Sequence, residues 1–253
     1  EKTESMWWIH PPRSVLLWPK FLADRNKKHN IMKKILVGSW LFASVCLFAQ
    51  IDVRNTRFGL TAGATYSRIS NAHNPSGPRY SFYAGALAQI PIGQNDQFYL
   101  QPEVEFLGAG ETGKDKNAQS SKGYDAVYAN NYISVPIYFK AYLSEAESEF
   151  FAIAGPKFNI LIDQKVTDPS KPYYAVDQLP EYPGVNGKAA SLNFALSVGL
   201  GYSLKRQLEL TARYDIGLSN TYKGLMSEPG SDPNIAKGKS EQVLSVGLTY
   251  IFH

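Results

Sequence analysis

The chain has almost no cysteine, and its single one, Cys46, lies inside an apolar run rather than near another ligand. That excludes a disulfide framework, a thiolate metal centre and, for any chain cut after that run, a thiol nucleophile. A lipid anchor on Cys46 would want small residues just before it, and Val45 fits poorly. Histidine is nearly as scarce: beyond residue 50 only His73 and His253 remain. A Ser–His base pair or a His/carboxylate metal cluster has little to draw on. His73 does have Ser70 and Ser76 nearby, but serines are common in loops and no fixed geometry follows. No cofactor is expected: Gly59, Gly63, Gly85 and Gly199 are spaced as strand residues at crowded positions, not as a phosphate-binding loop.

A long apolar run is also missing. The best one, Ile35–Phe48, is too short to span a bilayer, which takes roughly 20 residues. Preceded by Lys33-Lys34 and closed by Ala49-Gln50, it reads as a secretory signal over 32–49, with Met32 as initiator. Residues 1–31 show no periodic pattern and are read as upstream sequence outside the true start; 50–253 is then the folded domain. Net charge vanishes with the leader. Residues 1–50 hold 8 of the 26 Lys/Arg and 3 of the 22 Asp/Glu, which leaves 18 against 19. Nucleic acid is therefore not an expected partner.

What is present is alternation. In Ser81–Gly108, Phe98, Leu100, Pro102, Val104 and Phe106 take one face of a strand, and Gln101, Glu103 and Glu105 the other. The turn Gly93-Gln94-Asn95-Asp96 before it has hairpin chemistry. Pro102 cannot donate to a ladder, so a bulge or a non-bonded position is expected there. The same period of two recurs over Arg57–Tyr66, Asn131–Leu143, Phe150–Ile162, Ser191–Ser203, Gln207–Ser219 and the closing Val243–Phe252. That makes eight strands, and the connections between them alternate long and short.

The pattern predicts an all-β, eight-stranded, antiparallel up-and-down transmembrane β-barrel, with long loops at 69–79, 109–129, 163–190 and 220–240 on one side. About ten residues rise roughly 33 Å, and a tilt near 40° brings that to about 25 Å, the height of an outer-membrane apolar band. A soluble lipocalin-like barrel shares the strand count but turns its apolar side inward. The membrane version is favoured by a continuous apolar face, by Tyr66, Tyr202, Tyr250 and Phe252 near strand ends, and by an opposite face of Gly, Ser, Thr and charges.

That opposite face collects Arg57, Glu103, Glu105, Lys140, Lys157, Glu209, Arg213 and Asp215, four of each sign. Ions in a narrow interior are expected to pair, and an eight-stranded barrel is only just wide enough for its own side chains. The third loop carries Tyr173, Tyr174 and Tyr182 among prolines, a candidate contact surface.

The runs AGALAQIPI…FYLQPEVEF, YISVPIYFKAY, IAGPKFNILI, LELTARYDIGLSN and VGLTYIF, in that order, resemble the outer-membrane β-barrel family of Bacteroidota that includes the PorT-like proteins. The resemblance implies an eight-stranded barrel in the bacterial outer membrane; a monomer held in outer-membrane lipid is expected. Envelope or secretion proteins are its expected partners. No catalytic residue is expected from the sequence. His253 departs from the usual aromatic ending, although Phe252 is adjacent.

Overall fold

The computed structural model describes residues 53–72, 77–93, 96–112, 125–171, 184–227 and 235–252. The leader and upstream readings, 1–31 and 32–49, fall outside these. The described body opens with a short 3-10 turn, Val53–Asn55. Eight strands follow: β1 (Arg57–Ile69), β2 (Gly77–Ile92), β3 (Phe98–Thr112), β4 (Asp125–Tyr142), β5 (Glu149–Lys171), β6 (Leu192–Leu204), β7 (Leu208–Gly217) and β8 (Glu241–Ile251). Each pairs antiparallel with the next, and β8 closes on β1, where Gly63 faces Gly247. No helix among the described residues is long and apolar enough to cross a membrane.

Closure makes the period of two into an inside and an outside. On β1, Phe58, Leu60 and Tyr66 are exposed while Thr61, Thr65 and Ser67 are buried. On β7 the division is sharper: Leu208, Leu210 and Tyr214 face out, and Glu209, Thr211, Arg213 and Asp215 face in. The inverted distribution, apolar residues outside and charges buried, is that of a barrel whose solvent is lipid.

Aromatic pairs mark both edges of the band. At the short-turn end Phe98 stacks on Phe139 at 5.7 Å, and Phe150 meets Tyr202 edge-on at 5.0 Å. Tyr250 and Phe252 lie 5.5 Å apart at the same level. At the long-loop end Tyr66 meets Tyr80 at 5.3 Å and Phe82 meets Phe106 at 5.2 Å. Aromatic girdles flank the apolar band of such barrels, and the hydroxyls of Tyr66, Tyr80, Tyr202 and Tyr250 add a polar tip suited to the membrane–water boundary.

The strands reach further than their alternation suggests. β2 starts at Gly77, β3 runs to Thr112, β4 starts at Asp125, and β5 continues to Lys171, so parts of the expected loops 69–79, 109–129 and 163–190 are strand. Polar residues such as Asp163, Gln164 and Lys165 break the apolar pattern yet stay paired, opposite Asn131, Asn130 and Ala129. Beyond the lipid there is no apolar face to signal a strand, whereas backbone pairing continues regardless. Pro102 is absorbed without a bulge: the β2–β3 register runs through Leu87↔Glu103 and resumes unshifted at Ile90↔Leu100.

Inward glycines make room for inward rings. A Cβ on Gly63 would come within 2.6 Å of Cε1 of Tyr83, and one on Gly247 would collide with the Tyr83 hydroxyl. Gly201 gives way in the same manner to the ring of Phe151. In a barrel this narrow, each large side chain needs a small one across from it.

Candidate functional site in the barrel interior

The interior is layered along the barrel axis. At the short-turn end Tyr99, Tyr138, Tyr142, Phe151 and Ile153 form a buried apolar plug. Charges occupy the middle. Above them lies a second apolar layer of Tyr83, Leu107, Ala109, Tyr132 and Val243. The long-loop end is capped by Ile69, Tyr128, Ala189, Tyr222 and Leu225, the last two brought in by the segment holding the 3-10 turn Lys223–Ser227.

Seven of the eight charges read from the sequence meet in the middle layer. Arg213 Nη1 donates to Glu103 Oε2 at 2.9 Å and stands 3.5 Å from Glu105 Oε2. Lys157 Nζ sits 2.7 Å from Glu105 Oε1 and 2.8 Å from Asp215 Oδ2. One tier lower, Lys140 donates to both oxygens of Glu209, which also accepts from the Tyr142 hydroxyl at 2.6 Å. The ammonium of Lys140 lies 4.1 Å from the centre of the Phe151 ring. All seven are nine-tenths buried or more.

Neutral groups complete the network. Gln89 Nε2 donates to Gln101 Oε1 at 3.0 Å, and Gln101 Nε2 donates to Glu103 Oε1 at 2.7 Å. Arg213 Nη1 lies 3.3 Å from the Tyr138 hydroxyl, and Nη2 lies 3.3 Å from Thr61 Oγ1.

Arg57 is the exception, and the expectation is corrected there. It has the inward phase, but it is only half-buried at the short-turn mouth. There it lines a cavity of about 630 Å³ with Asn55, Thr56, Phe58, Pro91, Asp96 and Phe252. Phase places a side chain on a face and says nothing of depth, and Arg57 is the first residue of its strand.

Tyr173, Tyr174 and Tyr182, the contact candidates of the third loop, lie outside the described residues.

Two arrangements had no signal in the sequence. Arg206 fastens the short-turn end: it pairs with Glu149 at 2.6 Å and donates to the Asp96 carbonyl at 2.6 Å. It also reaches the Ser144 carbonyl at 3.5 Å, so one side chain ties the β2–β3, β4–β5 and β6–β7 turns. Lys205 and Arg206 both have positive φ, 53° and 52°, as a two-residue hairpin turn requires. At the long-loop end, above the Tyr66–Tyr80 pair, Glu241 is buried beside Tyr132, Asn130, Arg79 and Glu111. Burial pushes its carboxyl up to about 7, against the opposing influence of Tyr132, Asn130 and Arg79. Arg79 is itself held by the carbonyls of Ala109 and Asn130 and by Asn131.

Among the described residues no group of three or more His, Cys, Asp or Glu is placed to hold a metal. Among the described residues, the layered interior supplies paired ions between layers of buried rings and aliphatic side chains.

A closed, lipid-facing, eight-stranded antiparallel barrel with a buried ion network defines an integral outer-membrane β-barrel protein. Residues 48–223 match the family model described as "Outer membrane protein beta-barrel domain", and the chain belongs to that family. No curated protein matches the sequence. Similar solved structures include Ail, the attachment invasion locus protein of Yersinia pestis. It is 10% identical with a TM-score of 0.37, over 78% of this chain and 98% of that one. OprG of Pseudomonas aeruginosa is 11% identical with a TM-score of 0.40, over 78% and 94%. The translocator domain of the autotransporter NalP of Neisseria meningitidis is 11% identical with a TM-score of 0.30, over 92% and 99%. At these scores the likenesses add nothing to the fold already described.

Proposed function

We propose that this protein is a non-conducting, non-enzymatic barrel that displays its long-loop end for interaction or for support of an envelope complex. The filled interior carries this reading. Two apolar layers enclose the ion network on either side, and its charged side chains are engaged with one another. A narrow channel for small solutes, the competing use of such a barrel, would need a continuous polar route through Tyr99, Tyr142 and Phe151 at one end and Tyr83, Leu107 and Tyr132 at the other.

Export by the signal at 32–49, residence in the outer membrane as a monomer, and envelope proteins as partners follow from the same reading. Membership of the PorT-like, secretion-linked branch in Bacteroidota rests on the sequence resemblance alone. The test is single-channel recording on Gln50–His253 refolded into a planar bilayer, after a heat-dependent gel shift has shown the barrel closed. A folded and silent barrel is expected. Steady conductance that responds to charge reversal at Glu103 or Arg213 would replace this reading with the channel.

A further inference from the structure

The cavity at the short-turn mouth lies outside the ion network, and its charged groups are unengaged. Arg57, the first residue of β1, makes no hydrogen bond or ion pair among the described residues. Asp96, in the β2–β3 turn, lines the same cavity and forms no ion pair either; among the described residues its carboxylate meets only the Tyr99 hydroxyl, at 3.4 Å. Thr56 Oγ1, a further lining group, is buried without a hydrogen-bond partner. Arg206 reaches the Asp96 carbonyl, but its charge is taken up by Glu149.

The apolar lining comes from the lipid-facing side. Phe58 and Phe252 are both exposed, and the Phe252 amide donates to the Phe58 carbonyl at 2.7 Å, which joins them at the β1–β8 seam. Phe252 also belongs to the aromatic band of this end, 5.5 Å from Tyr250. A cavity of about 630 Å³ that opens between this band and the mouth is large enough for a small polar group. One cation and one acid, not paired with each other, match a ligand that carries both signs. A simple anion would meet repulsion from Asp96, and a simple cation from Arg57. The guanidinium fork suits phosphate oxygens, and a carboxylate accepts from a primary ammonium.

We propose that this cavity binds the zwitterionic headgroup of an ethanolamine phospholipid from the leaflet at the short-turn end. Arg57 and Thr56 hold the phosphate, and Asp96 accepts from the ammonium. Phe58 and Phe252 lie along the glycerol and the first methylenes of the acyl chains, which makes the ligand a lipid rather than a soluble zwitterion. The site sits at the end opposite the long loops and is independent of whether they engage a partner, so either reading can fail alone.

Native mass spectrometry of the folded barrel, Gln50–His253, released from detergent micelles, tests it. The probes are phosphatidylethanolamine, phosphatidylcholine and phosphatidylglycerol with the same dioleoyl chains. One phosphatidylethanolamine per barrel should be held about ten-fold more tightly than phosphatidylcholine, whose trimethylammonium cannot donate to Asp96. It should also outcompete phosphatidylglycerol, which has no ammonium. Asp96→Asn keeps the turn, since asparagine accepts the positive φ of 47° there, and should abolish the preference over phosphatidylcholine. Arg57→Gln should weaken phosphatidylethanolamine by about ten-fold through loss of the phosphate contact. Soluble glycerophosphoethanolamine should compete poorly, having no chains to lie against the two rings. Equal retention of phosphatidylethanolamine and phosphatidylcholine by the parent overturns the proposal, and that comparison needs no variant to fold. Tightest binding of phosphatidylglycerol would make this a plain anion site, and full competition by glycerophosphoethanolamine would make the ligand a soluble one. Either result also overturns it.

Discussion

Arg213 and Glu103 stand 110 residues apart in the chain and 2.9 Å apart across the barrel, joining β7 to β3 through the interior. Neither strand pairs with the other, so this contact couples walls that the hydrogen-bond ladder leaves unconnected. Replacing Arg213 with Met strands Glu103 and Glu105 in a buried site, and a loss of about 3–5 kcal/mol is expected. The urea midpoint of the refolded barrel measures it. The triple change with Glu103→Gln and Glu105→Gln should recover much of that loss, because no unpaired charge then remains.

The outward face can be tested without touching the interior. Leu248 is 54% exposed near mid-strand on β8, so Leu248→Arg places a charge in hydrocarbon. A loss of about 2–4 kcal/mol is expected near the bilayer midplane. Leu248→Ala should cost far less. Equal effects of the two, measured in lipid vesicles, would mean that this face does not contact lipid.

Arg206→Ala removes the side chain that ties three turns and leaves Glu149, 4% exposed, without its cation. The expected result is lower stability by about 1–3 kcal/mol with hydrogen exchange accelerated at 144–149 and 204–207, while the long-loop end stays protected. Uniform acceleration over all eight strands would show instead that the turns open only with the whole barrel.

Glu241 makes stability depend on pH with a definite sign. Its carboxyl is ordinary, near 4.5, in the unfolded chain and near 7 in the folded one, because burial disfavours the charge. Between those values the folded state binds the extra proton at Glu241, so the contribution of this group to stability falls as pH rises from about 4.5 to about 7 and is constant above. The displacement corresponds to roughly 3 kcal/mol. Glu241→Gln should flatten this part of the profile and exceed the parent in stability at pH 8. A variant that tracks the parent from pH 4 to pH 8 would show that Glu241 is solvated.

Much of this was legible beforehand. The alternation in Gln207–Ser219 separates Leu208, Leu210 and Tyr214 from Glu209, Arg213 and Asp215 because a strand side chain has only two directions available. Eight such runs with connections alternating long and short leave few topologies, and the Tyr and Phe at strand ends decide which face meets lipid. Strand ends beyond the membrane were not legible, since Asp163–Lys171 pairs through its backbone while its side chains carry no apolar period.

The sequence by itself determined the fold class and the face on which each charge lies, because both follow from local geometry repeated along the chain. Only the tertiary structure decided depth and partnership. Arg57 and Arg213 share a phase in sequence, yet one ends at the mouth and the other at the centre. The Lys157 bridge brings β3, β5 and β7 together. Such meetings depend on strand register and on closure around the barrel, which are set by all eight strands at once and by no stretch of one.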